Sequence, residues 1–166
     1  MNKAFFLDRD GVLNHDYGYI SKHKDIVLIE GVKEALQIIV DNEFIPIIIT
    51  NQSGISRGYF THYDLFKINC KLNNLLGNKL KNVFYCPHTP EDNCQCRKPN
   101  PYMIIKASEH YNIDLSKSWM IGDKDSDILC GKNAGVKTIK IGNEINNADY
   151  VFPNLLKAVE KILCNV

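Results

Sequence analysis

The chain has 166 residues, of which 45% are hydrophobic, and its 20 Lys+Arg against 19 Asp+Glu leave a formal charge of +1. A chain of this length buries about 70% of its unfolded surface, enough for one sizeable core, so a single domain over residues 1–166 is expected. The balanced charge, without basic runs, speaks against nucleic acid or an anionic membrane as partner.

In chain order, the first apolar run is Ala4 to Leu7, which ends at Asp8 and is too short for a secretory leader. No later run approaches the ~20 apolar residues of a membrane span. Lys3 to Leu7, Ile45 to Ile49, Val83 to Cys86, Met120 to Ile121 and Thr138 to Ile141 are short apolar runs that predict buried strands. Between them, helical spacing links Val32, Leu36, Ile39 and Val40, then Leu65, Ile68, Leu72, Leu75 and Leu76. Ile104, Ile105 and Ala107 predict a third helix, and Ile128, Leu129 and Ala134 a fourth. Pro153, ahead of Leu155, Leu156, Val159 and Ile162, opens a closing helix. Alternating strands and helices predict an α/β fold, a doubly wound parallel sheet with helices on both faces.

Ligands of such a sheet gather at the carboxyl ends of its strands, and the polar signals fall there. Asp8-Arg9-Asp10-Gly11 follows the first strand. Two carboxylates two residues apart on an extended segment face one small volume, which calls for a hard cation such as Mg²⁺. Gly122 to Asp127 follows the fourth strand; it fails as an EF-hand loop because Ile128 stands at the sixth position and Ala134 at the twelfth. Asp123 is read as sharing the metal with Asp8, and Asp127 as either a helix cap or a direct ligand. Thr50-Asn51-Gln52-Ser53-Gly54, beyond the second strand, offers hydroxyl and backbone N–H groups for an anion.

The third strand runs into Cys86-x-His88 and Cys94-x-Cys96, three thiols and one imidazole within eleven positions. This is a complete Cys₃His set with no open coordination position, the composition of a structural Zn²⁺ site, in a loop (86–98) with little core of its own. Clustered thiols of this kind fit a reducing, cytoplasmic compartment. Cys70, Cys130 and Cys164 sit in helical patterns and read as packing residues. Arg97-Lys98-Pro99 follows at once and would place two cations beside a stiffened loop.

Asp8-x-Asp10-Gly11, the strand-end Thr50, Lys98 and Gly122-Asp123-x-x-x-Asp127, in that order, resemble the four motifs of the haloacid dehalogenase superfamily of phosphohydrolases. The resemblance covers essentially the whole chain. The Cys86, His88, Cys94, Cys96 set narrows it to the branch of heptose-bisphosphate and histidinol-phosphate phosphatases. Thr50 to Thr61 and Asp16-Tyr17-Gly18-Tyr19 are more similar to the heptose type. Tyr102 departs from the Gly usual after K-P-x-P. No insertion is long enough for the mobile cap domain of the superfamily.

The resemblance implies a capless Mg²⁺-dependent phosphomonoesterase with Asp8 as nucleophile and Asp10 as general acid and base. It implies Mg²⁺ on the Asp8 carboxylate, the Asp10 carbonyl and Asp123, and phosphoryl oxygens on Thr50 and Lys98. Asp16, Tyr19, Asn51, Ser53, Arg57, Arg97 and Lys124 are the implied substrate contacts. The implied substrate is a small phosphorylated sugar, with loss of the 7-phosphate of D-glycero-D-manno-heptose 1,7-bisphosphate, on a monomer. Histidinol-phosphate phosphatase and a non-catalytic zinc-binding module are the alternatives.

Overall fold

The computed structural model describes residues 1–144 and 147–164. Five strands fall where the apolar runs predict them: β1 (Lys3–Leu7), β2 (Phe44–Asn51), β3 (Asn82–Cys86), β4 (Trp119–Gly122) and β5 (Lys137–Ile141). A sixth, β6 (Tyr150–Phe152), follows. All pair in parallel, in the order β3-β2-β1-β4-β5-β6.

The central strands β1, β2 and β4 are mostly apolar because both faces of the sheet are covered there. Successive side chains alternate: Phe5 and Leu7 of β1 join one core with Ile48, Trp119 and Ile121, while Ala4 and Phe6 join the other with Ile47, Ile49 and Met120. Helices α1 (Val32–Asp41), α2 (His62–Leu75) and α5 (Leu155–Leu163) supply Leu36, Ile68, Leu72 and Val159 to the first core. Helices α3 (Tyr102–Tyr111) and α4 (Asp125–Ala134) supply Ile104, Ala107 and Cys130 to the second.

Helix starts follow local chemistry. Thr61 and Asp64 form a reciprocal capping box for α2, and the Asn154 side chain accepts from Lys157 N at 2.9 Å to open α5, one residue after Pro153. Tyr102 is the first residue of α3 and is 45% exposed, so a large side chain is accommodated at this position.

The periodicity predicts no strand at β6. Three residues are too few to show a pattern, and the strand is held from outside: the Asp149 carboxylate accepts from Thr138 N at 2.7 Å and Thr138 Oγ1 at 2.8 Å, tying its start to β5. The segment between β1 and α1 is a loop with one short 3₁₀ turn, His23–Asp25, and no cap domain is present among the described residues. No helix among them is long and apolar enough to cross a membrane.

Candidate active site and cysteine loop

In this strand order the chain runs outward in both directions from the adjacent pair β1 and β4, and the crevice beyond their carboxyl ends is the usual ligand site. Asp8 follows β1 there, Asp123 follows β4, and Thr50 lies at the end of β2. Two glycines allow the close approach. Gly11 has φ +85° and a Cβ there would overlap the Asp123 carboxylate, while a Cβ at Gly122 would overlap the Asp127 side chain.

Lys98 reaches the crevice from the end of the cysteine loop. Its Nζ lies 2.9 Å from Asp8 Oδ1 and 2.6 Å from Asp127 Oδ1, and donates to the Ile49 carbonyl at 2.7 Å. Burial acts to lower the Lys98 pKa, but the two carboxylates overcome it and hold the ammonium above the usual lysine range. Burial pushes Asp8 up to about 6; Lys98 pulls it down, and Asp127 and Asp10 add to the rise. Asp127 also accepts from Lys124 N at 3.0 Å, so it caps α4 and orients Lys98 at once.

Carboxylate oxygens of Asp8, Asp123 and Asp127 lie within 4.8 Å of one another. Asp123 Oδ1 is buried without a hydrogen-bond partner, and burial together with the Asp8 charge raises the Asp123 pKa. An orphaned oxygen facing a second carboxylate is the donor set of a hard divalent cation, and Mg²⁺ fits it.

Asp8 and Asp10 both line one cleft, as expected, but the segment that joins them is a turn and not an extended one. The chain turns at once, with Leu13 N donating to Arg9 O at 2.9 Å and Gly11 left-handed. The Asp10 carboxylate is thereby directed to Arg9, whose Nε and Nη2 bind Oδ1 and Oδ2 at 3.1 and 2.9 Å. Asn14 Nδ2 donates to Oδ1 at 2.9 Å and Gln52 Nε2 to Oδ2 at 3.0 Å.

The crevice opens into a cleft of about 350 Å³. Asp8, Asp10, Thr50 and Lys98 line its floor together with Asn51 and Ser53, and Asp16, Tyr19, Arg97 and Lys124 line it as well. Asn51 grips the Lys98 backbone: Lys98 N donates to its Oδ1 at 3.0 Å and its Nδ2 to Lys98 O at 3.2 Å. Lys124 Nζ pairs with Asp16 at 2.9 Å, and the Tyr19 ring packs edge-on against Tyr59 at 4.7 Å between centroids. Arg57 does not line the cleft; its guanidinium lies 3.9 Å from Glu91.

The Cys86, His88, Cys94 and Cys96 ligand atoms also lie within 4.8 Å of one another. The sulfur atoms are 3.0 to 3.6 Å apart, and His88 Nδ1 is 3.3 Å from Cys96 and 3.5 Å from Cys86. A tetrahedral zinc with Zn–S of ~2.3 Å spaces its sulfurs by ~3.8 Å, so the four side chains fit that ion with a small expansion. All six cysteines are free thiols. Arg97 joins the loop to the cleft, its Nη1 donating to the His88 carbonyl at 2.9 Å.

Residues 95–158 match a family described as HAD-hydrolase-like. A D-glycero-β-D-manno-heptose-1,7-bisphosphate 7-phosphatase of Helicobacter pylori is 45% identical over 140 residues, 82% of this chain and 81% of its own. The protein of the same name from Haemophilus ducreyi is 39% identical over 175 residues, 95% of this chain and 96% of its own. The chain belongs to the haloacid dehalogenase-like phosphohydrolases. The crystal structure of D,D-heptose 1,7-bisphosphate phosphatase from B. bronchiseptica, complexed with magnesium and phosphate, superposes on this phosphohydrolase with TM-score 0.91. It is 27% identical, with 99% of each chain covered.

Three residues of the phosphohydrolase site are absent from the candidates that sequence reading names: Arg9, Asn14 and Gln52. Arg9 is 1% exposed and is the largest fully buried polar side chain. An arginine between two aspartates was a signal that one carboxylate had a built-in partner, since like charges so close need one. Asn14 and Gln52 carried no such signal, because amides are frequent in loops.

Proposed function

We propose that this phosphohydrolase removes the 7-phosphate of D-glycero-D-manno-heptose 1,7-bisphosphate through an aspartyl-phosphate on Asp8. The observation that carries the reading is the buried Asp8 carboxylate with Lys98 Nζ at 2.9 Å, at the floor of a cleft that also presents Arg97 and Lys124. A nucleophile, its counter-ion and two further cations suit a substrate with a reacting phosphate and a distant second one. The names of relatives up to 45% identical support the same substrate.

In the first step an Asp8 oxygen forms a bond to phosphorus, the phosphorus–oxygen bond to the sugar breaks, and the Asp10 carboxyl proton goes to the leaving alkoxide. In the second a water oxygen bonds to phosphorus, the bond to Asp8 breaks, and the water proton returns to Asp10. Lys98 and the Thr50 hydroxyl hold phosphoryl oxygens while charge redistributes. The Asp8 and Asp123 carboxylates and the Asp10 carbonyl would hold Mg²⁺, which supplies positive charge against the nucleophile and the phosphate.

Arg97 and Lys124 take the second phosphate, and Asp16, Tyr19, Asn51 and Ser53 frame the sugar; Arg57 is left out of the cleft. Cys86, His88, Cys94 and Cys96 would hold Zn²⁺ to order the loop that ends in Lys98. The protein works as a cytoplasmic, single-domain monomer in heptose biosynthesis.

The test is release of phosphate from both anomers of the heptose bisphosphate and from histidinol phosphate, with Mg²⁺ present. The kcat/KM for a bisphosphate anomer is expected to exceed that for histidinol phosphate by about 100-fold, because the second phosphate makes charge-assisted contacts that an ammonium and an imidazole cannot. Equal efficiencies, or the reverse order, would overturn the substrate and leave the phosphatase chemistry in place.

A further inference from the structure

We propose that Gln52 is a positioning residue for the second, hydrolytic step, orienting the Asp10 carboxylate and the Thr50 hydroxyl together through an amide that buried Arg9 holds in one orientation. The inference rests on the aspartyl-phosphate reading above and adds a residue that takes no direct part in the chemistry.

The amide orientation follows from its neighbours. Arg9 has donors only, so the oxygen of Gln52 must face it, and Arg9 Nη2 donates to Oε1 at 3.2 Å. Both amide hydrogens are then directed the other way. One goes to Asp10 Oδ2 at 3.0 Å and the other to Thr50 Oγ1 at 3.0 Å. Turning the amide over would set its NH₂ against the guanidinium and its oxygen against the carboxylate, so one orientation alone is compatible with both neighbours.

Asp10 itself is fully provided for. Oδ1 accepts from Arg9 Nε and Asn14 Nδ2, and Oδ2 from Arg9 Nη2 and Gln52 Nε2. A carboxylate has about four lone-pair sites, and these four hydrogen bonds fix the direction of both Asp10 oxygens. Of the three residues that donate to it, Gln52 lines the cleft, whereas Arg9 and Asn14 do not. The Gln52 amide is therefore the one donor to Asp10 on the side from which a water would enter the cleft. At Thr50 the amide hydrogen occupies a lone pair of the hydroxyl, which turns the hydroxyl's own hydrogen away from Gln52 and frees it for a phosphoryl oxygen. One side chain thus fixes the base and a phosphate donor relative to each other, which is the role of second-layer hydrogen bonds around a reacting group.

The decisive measurement is the first-order decay of protein-bound phosphate after a cold chase. Rapid acid quench is applied to wild type, Gln52→Met, Gln52→Glu and Asp10→Asn loaded with labelled heptose 1,7-bisphosphate and Mg²⁺. A decay constant does not depend on how much of a preparation is folded, so a structural defect would lower the amount of bound phosphate and leave the constant unchanged. Gln52→Met keeps the length and removes both donors; its decay is expected to slow about tenfold, part of the ~100-fold or more that a positioned base supplies and that Asp10→Asn removes. Gln52→Glu, the same shape with an oxygen against Asp10, is expected to slow it further, with KM within about threefold of wild type in both variants. Decay within about twofold of wild type in both Gln52 variants, while Asp10→Asn is slow, would overturn the role of Gln52 alone. Wild-type decay in Asp10→Asn, or no bound phosphate in any protein, would overturn the two-step reading and this inference with it.

Discussion

The catalytic cleft and the cysteine loop both collect reactive side chains, and they are held in opposite ways. Asp8, Thr50 and Asp123 hang from the ends of three neighbouring strands, and the polar groups behind them, Arg9, Asn14 and Asp127, are at most 1% exposed. Between Cys86 and Lys98, by contrast, no residue is buried, and the only regular structure is the short turn Pro90–Asp92. A site carried by a sheet can lose one group and keep its shape. A loop ordered by four ligands around an ion, as proposed for residues 86–98, could not.

The largest expected effect separates these two cases. Asp8→Asn should lower kcat by about 10⁴-fold or more, because an amide is a poor nucleophile and cannot hold the cation. The same change should leave the melting temperature of metal-free protein at pH 8 unchanged or raised. Asp8 has a folded pKa of about 6 against an unfolded value near 3.8, so its ionised form opposes folding once the pH exceeds about 6, and the neutral amide removes that cost. Parallel phosphate-release assays and thermal melts check both halves; a lower melting temperature would mean that the cleft, too, depends on its functional groups for order.

Next in size is the effect expected from removing the zinc proposed for Cys86, His88, Cys94 and Cys96. Structural zinc binds small peptides with about 10–16 kcal/mol of apparent free energy, so Cys94→Ser or chelation should disorder residues 86–98 and displace Lys98. Activity should fall about 100-fold and the melting temperature should fall with it, as read by metal analysis, calorimetry and phosphate release. Zinc-free protein with full activity and an unchanged melting temperature would erase the distinction between the two regions.

Smaller effects sharpen the comparison where the regions meet. Because burial holds the Asp8 pKa at about 6, a proton competes for its oxygen below that pH. Mg²⁺ affinity of the metal-free protein should therefore fall about tenfold per pH unit below about 6 and level off above it, by calorimetric titration at several pH values. Asn51→Ala removes the two hydrogen bonds that fasten the Lys98 backbone to the end of β2, each worth about 1 kcal/mol. It should lower kcat several-fold with zinc content unchanged, since the loop stays ordered while its end is less well placed.

Much of this molecule was legible in advance, and for local reasons. Five strands and five helices follow from apolar runs and helical spacing, since burial on both faces leaves its mark residue by residue. The strand-end positions of Asp8, Thr50 and Asp123 followed from the same reading. Orientation was less legible. Asp8 and Asp10 share the cleft, but the turn that begins at Arg9 gives the Asp10 carboxylate to Arg9, and Arg57 pairs with Glu91 and does not line the cleft. Strand β6 was invisible because three residues carry no period, and its hold comes from an Asp149 contact eleven positions back in the chain.

The sequence by itself determined the α/β alternation, the family motifs and the cysteine–histidine set, because each of these is written in neighbouring or regularly spaced residues whose chemistry needs no distant partner. The tertiary structure alone decided the pairings. Setting β1 beside β4 brings Asp8 to Asp123, and the path of the cysteine loop brings Lys98 to Asp8 and Asp127. The same sheet brings Gln52 at the end of β2 within 3.0 Å of Asp10 at the end of β1. Hydrogen bonds and ion pairs act over a few ångströms in space, and only the packed sheet converts separations of 29 to 115 positions in the chain into distances on that scale.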